Sequence, residues 1–249
     1  MSILRVENIT KTFGGLRALS EVSLQVPRQV ILGLIGPNGS GKTTLLNVIT
    51  GVLRPDQGRV FVGDVEVTGW EPDRIASLGV GRTFQTARTF AALSVQENIE
   101  AAVMTAPNRQ RPVDEQVGHL LERLNLSQWA ATRASVLPYG VQRRLEMARA
   151  LGIRPQFLLL DEPAAGLNDE ESDDLLSVIM GIRSDPEIGC GILVIDHDLR
   201  LIMRLCDSIH VLNEGRTIAE GTPKEIRHNP AVIESYLGQS EYDDHVDAA

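Results

Sequence analysis

Between an apolar run and a helix-forming segment, the chain reads Gly36-Pro37-Asn38-Gly39-Ser40-Gly41-Lys42-Thr43-Thr44. This stretch follows the pattern G-x-x-x-x-G-K-[ST]. Residues 30–35, which precede it, have the continuous apolar sequence of a strand buried on both faces. Residues 42–53, which follow it, predict a helix that ends near Gly51 and Pro55. A strand, a glycine-rich turn and a helix in this order predict a phosphate-binding loop in an α/β fold.

The residue types of this loop suit a triphosphate, whose negative charge is concentrated. Successive backbone N–H groups at a helix N-terminus can surround such an anion, and glycines let the backbone approach it closely. Lys42 is expected to reach the β- and γ-phosphates, and Thr43 to offer its hydroxyl to Mg²⁺. The predicted contacts to nucleotide are the loop residues Gly36, Asn38, Gly39, Ser40, Gly41, Lys42, Thr43 and Thr44.

Length and composition limit the classes of protein that fit. The 249 residues, 43% of them apolar, suit one α/β domain or a core with an inserted subdomain. The formal charge of −9 disfavours nonspecific nucleic-acid binding, so no nucleic-acid partner is expected. The two cysteines, Cys190 and Cys206, form no C-x-x-C pattern and indicate reduced cytosolic thiols. No apolar stretch approaches the ~20 residues that span a bilayer, so a membrane role requires docking to other subunits.

The pattern along the chain predicts three parts. Residues 1–85 and 156–238 read as strand-rich and form the expected α/β core, with hairpins over residues 59–67 and 208–219. Residues 86–155 have helical spacing, with helices at residues 117–126 and 141–151 and a capping box at residues 94–97. Residues 239–249 are polar and acidic and predict a disordered tail.

Two acids and a histidine follow predicted strands downstream of the loop. Asp161 and Glu162 end the apolar run 157–160, and His197 comes directly after the run 192–195. Ligands bind beyond the carboxyl ends of strands in such sheets. Asp161 is therefore expected to hold Mg²⁺, Glu162 to orient and deprotonate an attacking water, and His197 to sense the γ-phosphate. Gln85, after another strand-like run, could reach Mg²⁺ or that water.

A phosphate-binding loop alone does not separate ATPases from GTPases or small-molecule kinases. The guanine-reading element N-K-x-D is absent from the sequence, which disfavours a GTPase. The order of the other sequence motifs distinguishes these classes of enzyme. Residues 137–151 carry a further helical segment that resembles the signature segment of the ATP-binding subunits of ABC transporters.

The chain resembles that family over residues 3–238. The family pattern places an adenine-stacking aromatic at Phe13, a Q-loop residue at Gln85, a Walker B pair at Asp161 and Glu162, and a switch histidine at His197. It also places signature contacts at Tyr139 and Gly140. The resemblance implies a P-loop NTPase (RecA-like) α/β core with an antiparallel β subdomain and an inserted α-helical subdomain.

The resemblance also implies an ATPase mechanism and its partners. ATP with Mg²⁺ is expected on the loop of one subunit and is covered by the signature helix of a second subunit, identical or paralogous. Catalysis would come from positioning and charge stabilisation. Transmembrane permease subunits and an extracytoplasmic substrate-binding protein are the other expected partners. The expected location is the cytoplasmic face of the cell membrane.

Short stretches resemble one subfamily in particular, the branched-chain amino-acid import ATPases. They are residues 13–16, 82–85, 139–144, 162–168 and 235–238. Urea and short-amide importers share most of these stretches, and lipopolysaccharide export ATPases share some. A soluble ABC ATPase that acts on DNA or ribosomes is a further alternative. Such proteins have two fused halves or long coiled-coil inserts, which this acidic chain lacks.

Three positions depart from the family pattern. Pro138 stands where the signature has serine and therefore offers neither a hydroxyl nor an N–H, and Val141 stands where glutamine is usual. We therefore expect a weakened contact across the dimer and slow intrinsic hydrolysis. Asn168 replaces the D-loop aspartate usual in the family, a change expected to alter coupling across the dimer. The segment 106–113 is also shorter than expected for an amino-acid import ATPase.

Overall fold

A six-stranded sheet forms the centre of the computed structural model, which describes residues 2–84, 89–107 and 111–237. Its strand order is β10-β9-β3-β8-β7-β6. The strands are β3 (Ile31–Ile35), β6 (Val80–Arg82), β7 (Phe157–Asp161), β8 (Gly191–Ile195), β9 (Ser208–Asn213) and β10 (Arg216–Gly221). All pairings are parallel except the β9–β10 hairpin. Every residue of β3, β7 and β8 is buried, as in a sheet that is covered on both faces.

A second, antiparallel sheet lies in the first third of the chain. Its order is β2-β1-β4-β5, and its strands are β1 (Ile3–Phe13), β2 (Leu16–Pro27), β4 (Gln57–Val62) and β5 (Val65–Glu66). The hairpin predicted over residues 59–67 is confirmed, with Val62 paired to Val65. Gly63 turns the chain at φ 60°, a conformation that glycine adopts without steric cost.

Nine α-helices are found in the described ranges. Three of them form the middle of the chain and pack on one another: α3 (Val95–Met104), α4 (Val113–Arg123) and α5 (Tyr139–Gly152). The others are α1 (Lys42–Ile49), α2 (Pro72–Ser77), α6 (Asp169–Ser184), α7 (Leu199–Leu205), α8 (Pro223–Arg227) and α9 (Pro230–Leu237). The capping box predicted at the start of α3 is confirmed, since Ser94 and Glu97 bond each other's backbone N–H. None of these described helices has both the length and the apolar content that crossing a membrane requires.

Two predicted helices have different limits in the structure. The helix predicted over residues 42–53 ends at Ile49, because Thr50 bonds back to Leu46 and Gly51 takes φ 76°. The helix predicted over residues 117–126 begins earlier, directly after Pro112, and ends before Asn125, whose φ of 54° cannot continue a right-handed helix.

The core divides into two groups of buried side chains on opposite faces of the central sheet. Alternate residues of β3 show the division. Ile31 and Ile35 pack in the group that holds the helices α3 to α5, and Leu32 and Leu34 pack in the group that holds α1 and the antiparallel sheet. Cys190 and Cys206 are buried free thiols. The predicted limits of the core and the helical subdomain stay predictions, and the tail 239–249 lies outside the described residues.

Candidate functional site

The glycine-rich loop connects β3 to α1 and closes around the start of that helix. Gly36, Gly39 and Gly41 have φ values of 150°, 79° and 104°, which side-chain-bearing residues rarely adopt. A Cβ on Gly36 would lie 2.0 Å from the carbonyl oxygen of Leu212, and one on Gly41 would lie 2.6 Å from that of Ala18. A Cβ on Gly39 would meet nothing within 4 Å. The loop is therefore pressed against its own protein at Gly36 and Gly41 and open at Gly39.

The side chains of this loop differ in where they face. Ser40 is buried, whereas Asn38 and Thr43 are exposed and Thr44 is partly buried. Lys42 is the first residue of α1, and its Nζ donates to the carbonyl oxygens of Gly36 at 2.6 Å and Pro37 at 2.9 Å. The ammonium group is thus held over the loop, beside the backbone N–H groups at the helix start, where an anion binds best.

Lys42 also lies within electrostatic reach of both predicted acids. Burial lowers the pKa of Lys42, and the carboxylates of Glu162 and Asp161 oppose that shift. The same closeness acts on Asp161, whose pKa is raised mainly by burial and in part by Glu162, while Arg82 holds it down. The structure thus brings the loop lysine and the two acids together at the carboxyl ends of β3 and β7.

Glu162 follows β7 in an unusual backbone conformation. Its φ is 47°, a value that costs a residue with a side chain about 1–3 kcal/mol. The strain is compensated locally, because its N–H donates to the carbonyl oxygen of Ile195, the last residue of β8, at 2.7 Å. Strained residues of this kind cluster at functional sites.

His197 follows β8 and projects into solvent, with 62% of its side chain exposed. Its Nδ1 lies 3.5 Å from Oδ1 of Asp196, which is buried and also accepts the N–H of Asp198 at 3.0 Å. Asp198 in turn caps α7. The imidazole therefore stands at the end of the central sheet on a well-anchored turn, and it is free to meet a ligand that approaches from solvent.

A further predicted contact with nucleotide, Phe13, lies on a separate element. Phe13 ends β1 beside the turn at Gly14 and Gly15, and it is 44% exposed. Lys11 Nζ lies 5.6 Å from the centre of its ring. An aromatic ring with an open face suits stacking on a base. Gln85 lies outside the described residues.

Tyr139 and Gly140 open α5, directly after Pro138. Tyr139 is 44% exposed, and its hydroxyl accepts a hydrogen bond from Arg143 at 2.7 Å. Gly140 is buried: a Cβ there would meet Glu171 Oε1 at 3.2 Å. The structure packs these two residues against the start of α6, whereas Lys42, Asp161 and Glu162 gather at the loop.

Arg82 is the residue at this site that sequence reasoning did not single out. It lies in the stretch 82–85 that resembles the import ATPases, and its guanidinium pairs with Asp161 at 3.1 Å. A basic residue at the end of a short predicted strand carries no local signal of such a role, because its partner lies 79 positions away. Asn168 also has a local reason to be asparagine, since it caps α6 in a capping box with Glu171.

The donors at the loop suit Mg²⁺ as well as phosphate. A hydroxyl on Thr43 and a carboxylate on Asp161 are hard oxygen ligands, and Mg²⁺ is commonly bound by one or two such groups together with phosphates and water. No group of three or more His, Cys, Asp or Glu residues that could hold a metal occurs in the described part of the chain. Any Mg²⁺ here would depend on the nucleotide for much of its coordination.

Comparison with known proteins identifies the family of this chain. Residues 19–165 match the family described as "ABC transporter", and residues 216–242 match the family "Branched-chain amino acid ATP-binding cassette transporter". The high-affinity branched-chain amino acid transport ATP-binding proteins BraF of Pseudomonas aeruginosa and LivG of Escherichia coli are 41% and 40% identical, over 96% of this chain and 98% of each relative.

A solved structure, the ADP conformation of MJ1267, an ATP-binding cassette of an ABC transporter, superposes with a TM-score of 0.84 at 34% identity. The match covers 96% of this chain and all of that one. The fold described above thus agrees with that of a known ATP-binding cassette. The chain belongs to the ATP-binding subunits of ABC transporters and is an ATPase of that family.

Proposed function

We propose that this ATPase powers the import of branched-chain amino acids through separate membrane permeases. One observation carries the proposal: the likeness to BraF and LivG extends over 96% of the chain. The separate match at residues 216–242 begins at β10, far along the chain from the phosphate loop. The similarity of this segment is therefore not explained by ATP binding alone, because all ABC ATPases bind ATP.

At the phosphate loop, the backbone N–H groups and Lys42 bind the β- and γ-phosphates of ATP. Gly39 leaves open space on the side where an anion arrives. Thr43 and Asp161 supply oxygen ligands for Mg²⁺, which when bound neutralises charge on the phosphates. The other loop residues, among them Ser40 and Thr44, complete the cradle, and the open ring of Phe13 stacks on the adenine.

The hydrolytic step is assigned to residues beyond the central strands. Glu162 is the general base that orients and deprotonates the attacking water. Its proximity to Lys42 supports this role, because the lysine acts on the phosphate under attack. His197 senses the γ-phosphate through a hydrogen bond from its exposed ring. Gln85 reaches Mg²⁺ or the attacking water.

A second ATP-binding subunit, identical or paralogous, completes the pocket. Its Tyr139 and Gly140, at the start of α5, cover the γ-phosphate. The exposure of Tyr139 and the helix N-terminus behind it support this contact, since a helix start favours an anion. Together the two subunits bind two ATP molecules between them.

The permease partners need a surface on this chain, and a groove of about 450 Å³ offers one. It lies between the middle helices and β6, and its walls include Val52 and Phe90, each about half exposed. An apolar permease segment suits this lining. Attachment there places the subunit on the cytoplasmic face of the cell membrane, with an extracytoplasmic substrate-binding protein delivering the amino acid.

Uptake measurements test the cargo. Cells that lack this gene should lose high-affinity uptake of labelled leucine and regain it with the wild-type gene, whereas Lys42→Ala should not restore it. Urea uptake serves as the matched control. The lipopolysaccharide export ATPase LptB of Haemophilus influenzae, 35% identical over 96% of this chain, is the relative that supports a second candidate. Intact leucine uptake together with an outer-membrane defect would favour export.

The composite pocket has its own test. Glu162→Gln keeps the shape of the side chain and removes the base, so ATP should bind and remain uncleaved. With saturating Mg-ATP this variant should run as a dimer in size-exclusion chromatography, and with Mg-ADP as a monomer. Lys42→Ala in the same background should stay monomeric. Monomers alone in Mg-ATP would count against both the base and the shared pocket.

A further inference from the structure

Arg82, the last residue of β6, has its guanidinium hydrogen-bonded to three side chains of the described residues and stacked near an aromatic ring. Its Nη2 donates to Oδ2 of Asp161 at 3.1 Å. Its Nη1 donates to Oδ1 of Asn47 at 2.7 Å and to Oγ1 of Thr50 at 3.0 Å. The ring of Phe84 lies 4.9 Å from the guanidinium carbon. These contacts fix the plane of the guanidinium and therefore the direction from which it meets Asp161.

The pair formed by Arg82 and Asp161 is withheld from water. Each side chain is 8% exposed. Buried charges interact strongly and lose most of their hydration. Arg82 therefore contributes most to neutralising Asp161, with a smaller contribution from Arg143. The carboxylate of Asp161 is therefore already occupied at the phosphate loop, because one of its two oxygens accepts a hydrogen bond from the Arg82 guanidinium.

Arg82 also joins the two elements that carry the proposed Mg²⁺ ligands. Asn47 belongs to α1, whose first turn holds Thr43, and Thr50 follows the end of that helix. Asp161 ends β7. The guanidinium spans the two elements and fixes the carboxylate relative to the helix.

We propose that Arg82 is a positioning residue that keeps Asp161 in a neutral pair, so that a divalent cation binds there only together with nucleotide. This inference rests on the proposed role of Asp161 as a metal ligand. The physical reason is competition between charges. A cation that approaches Asp161 alone meets the positive charge of Arg82, and Lys42 adds a second positive charge nearby. Phosphate oxygens make binding of the cation favourable, because they supply both negative charge and further ligands.

Mn²⁺ provides the probe, since it accepts the same oxygen ligands as Mg²⁺ and its free form is counted by electron paramagnetic resonance. Wild-type protein should bind Mn²⁺ weakly alone and tightly with ADP, beyond the Mn²⁺ that the same concentration of ADP binds without protein. Arg82→Gln should bind Mn²⁺ roughly tenfold more tightly than wild type without nucleotide, the smallest effect expected when a neighbouring opposite charge is removed. Arg82→Lys, which keeps the charge, should stay close to wild type.

Arg123→Gln is the matched control, because it removes another arginine bonded to an aspartate, Asp185, at 2.7 Å. It should leave nucleotide-free Mn²⁺ binding unchanged. The double variant Arg82→Gln with Asp161→Asn removes both charges and should lose the added affinity. Arg82→Met also removes the charge and keeps most of the side-chain length. It should show the same gain as Arg82→Gln, and it decides the question if Arg82→Gln fails to fold.

The outcomes distinguish the role of Asp161 as a metal ligand from the role of Arg82 as a positioning residue. If Asp161→Asn leaves Mn²⁺ binding with ADP unchanged, the metal role of Asp161 fails. If Asp161→Asn weakens it but Arg82→Gln binds nucleotide-free Mn²⁺ no better than wild type, only the role of Arg82 is refuted. Equal binding of Mn²⁺ by wild type with and without ADP would also refute it, as would an equal effect of Arg82→Lys and Arg82→Gln.

Discussion

Gly36 and Gly39 belong to the same loop, and alanine should affect them in different ways. At Gly36 the φ of 150° costs alanine about 1–3 kcal/mol, and contacts of 2.0 Å to the Leu212 carbonyl oxygen and 2.6 Å to Ser40 Oγ add about 1–3 kcal/mol of overpacking. Gly36→Ala should therefore lower the free energy of unfolding by about 2–6 kcal/mol. At Gly39 the φ of 79° costs about 1–2 kcal/mol, and no atom lies within 4 Å of the new Cβ.

Urea unfolding followed by circular dichroism measures both variants, with the slope of free energy against urea as the check that the unfolded state is unchanged. A fluorescent ATP analogue measures binding. Gly39→Ala should remain folded and lose roughly tenfold or more in affinity, which corresponds to about 1.4 kcal/mol, because its methyl group points into the space left for phosphate.

Equal losses of stability in the two variants would refute this reasoning, since the contacts of the Cβ would then have no consequence. A Gly36→Ala protein as stable as wild type would do the same. Full ATP affinity in Gly39→Ala would show that the open space beside Gly39 is not where the phosphates lie.

Two further predictions concern α5 and the core. Pro138 precedes α5 without a side-chain cap, so Pro138→Ser should stabilise the protein by about 1 kcal/mol and raise the ATPase rate of the assembled complex; an unchanged rate contradicts a weakened signature contact. Burial lowers the pKa of His210 to about 4, so His210 favours folding above pH 6.5 and this contribution falls as the pH drops towards 4. Urea unfolding should show a loss on the order of 3 kcal/mol across that window, and His210→Gln should flatten the dependence; an unchanged slope in His210→Gln would contradict it.

Local patterns were read correctly from the sequence where the deciding contacts are also local. The capping box at Ser94 involves residues three positions apart, and the hairpin turn at Gly63 requires only a left-handed glycine. Helix limits were less accurate. The end of α1 depends on Thr50 and Gly51, and α4 begins directly after Pro112, upstream of the apolar spacing that predicted it.

The candidate site likewise has features that depend on local sequence and features that depend on residues far apart in the chain. The phosphate loop, the acids Asp161 and Glu162, and His197 can be predicted from the sequence, because each lies where a strand ends and is recognised from its neighbours in the chain. The pairing of Asp161 with Arg82 and the hydrogen bond from Phe84 N–H to Glu146 are visible only in the folded chain. Those partners are 79 and 62 positions apart, and no local pattern encodes which strands become neighbours. Hydrophobic burial and strand order bring them together, and these are properties of the whole chain.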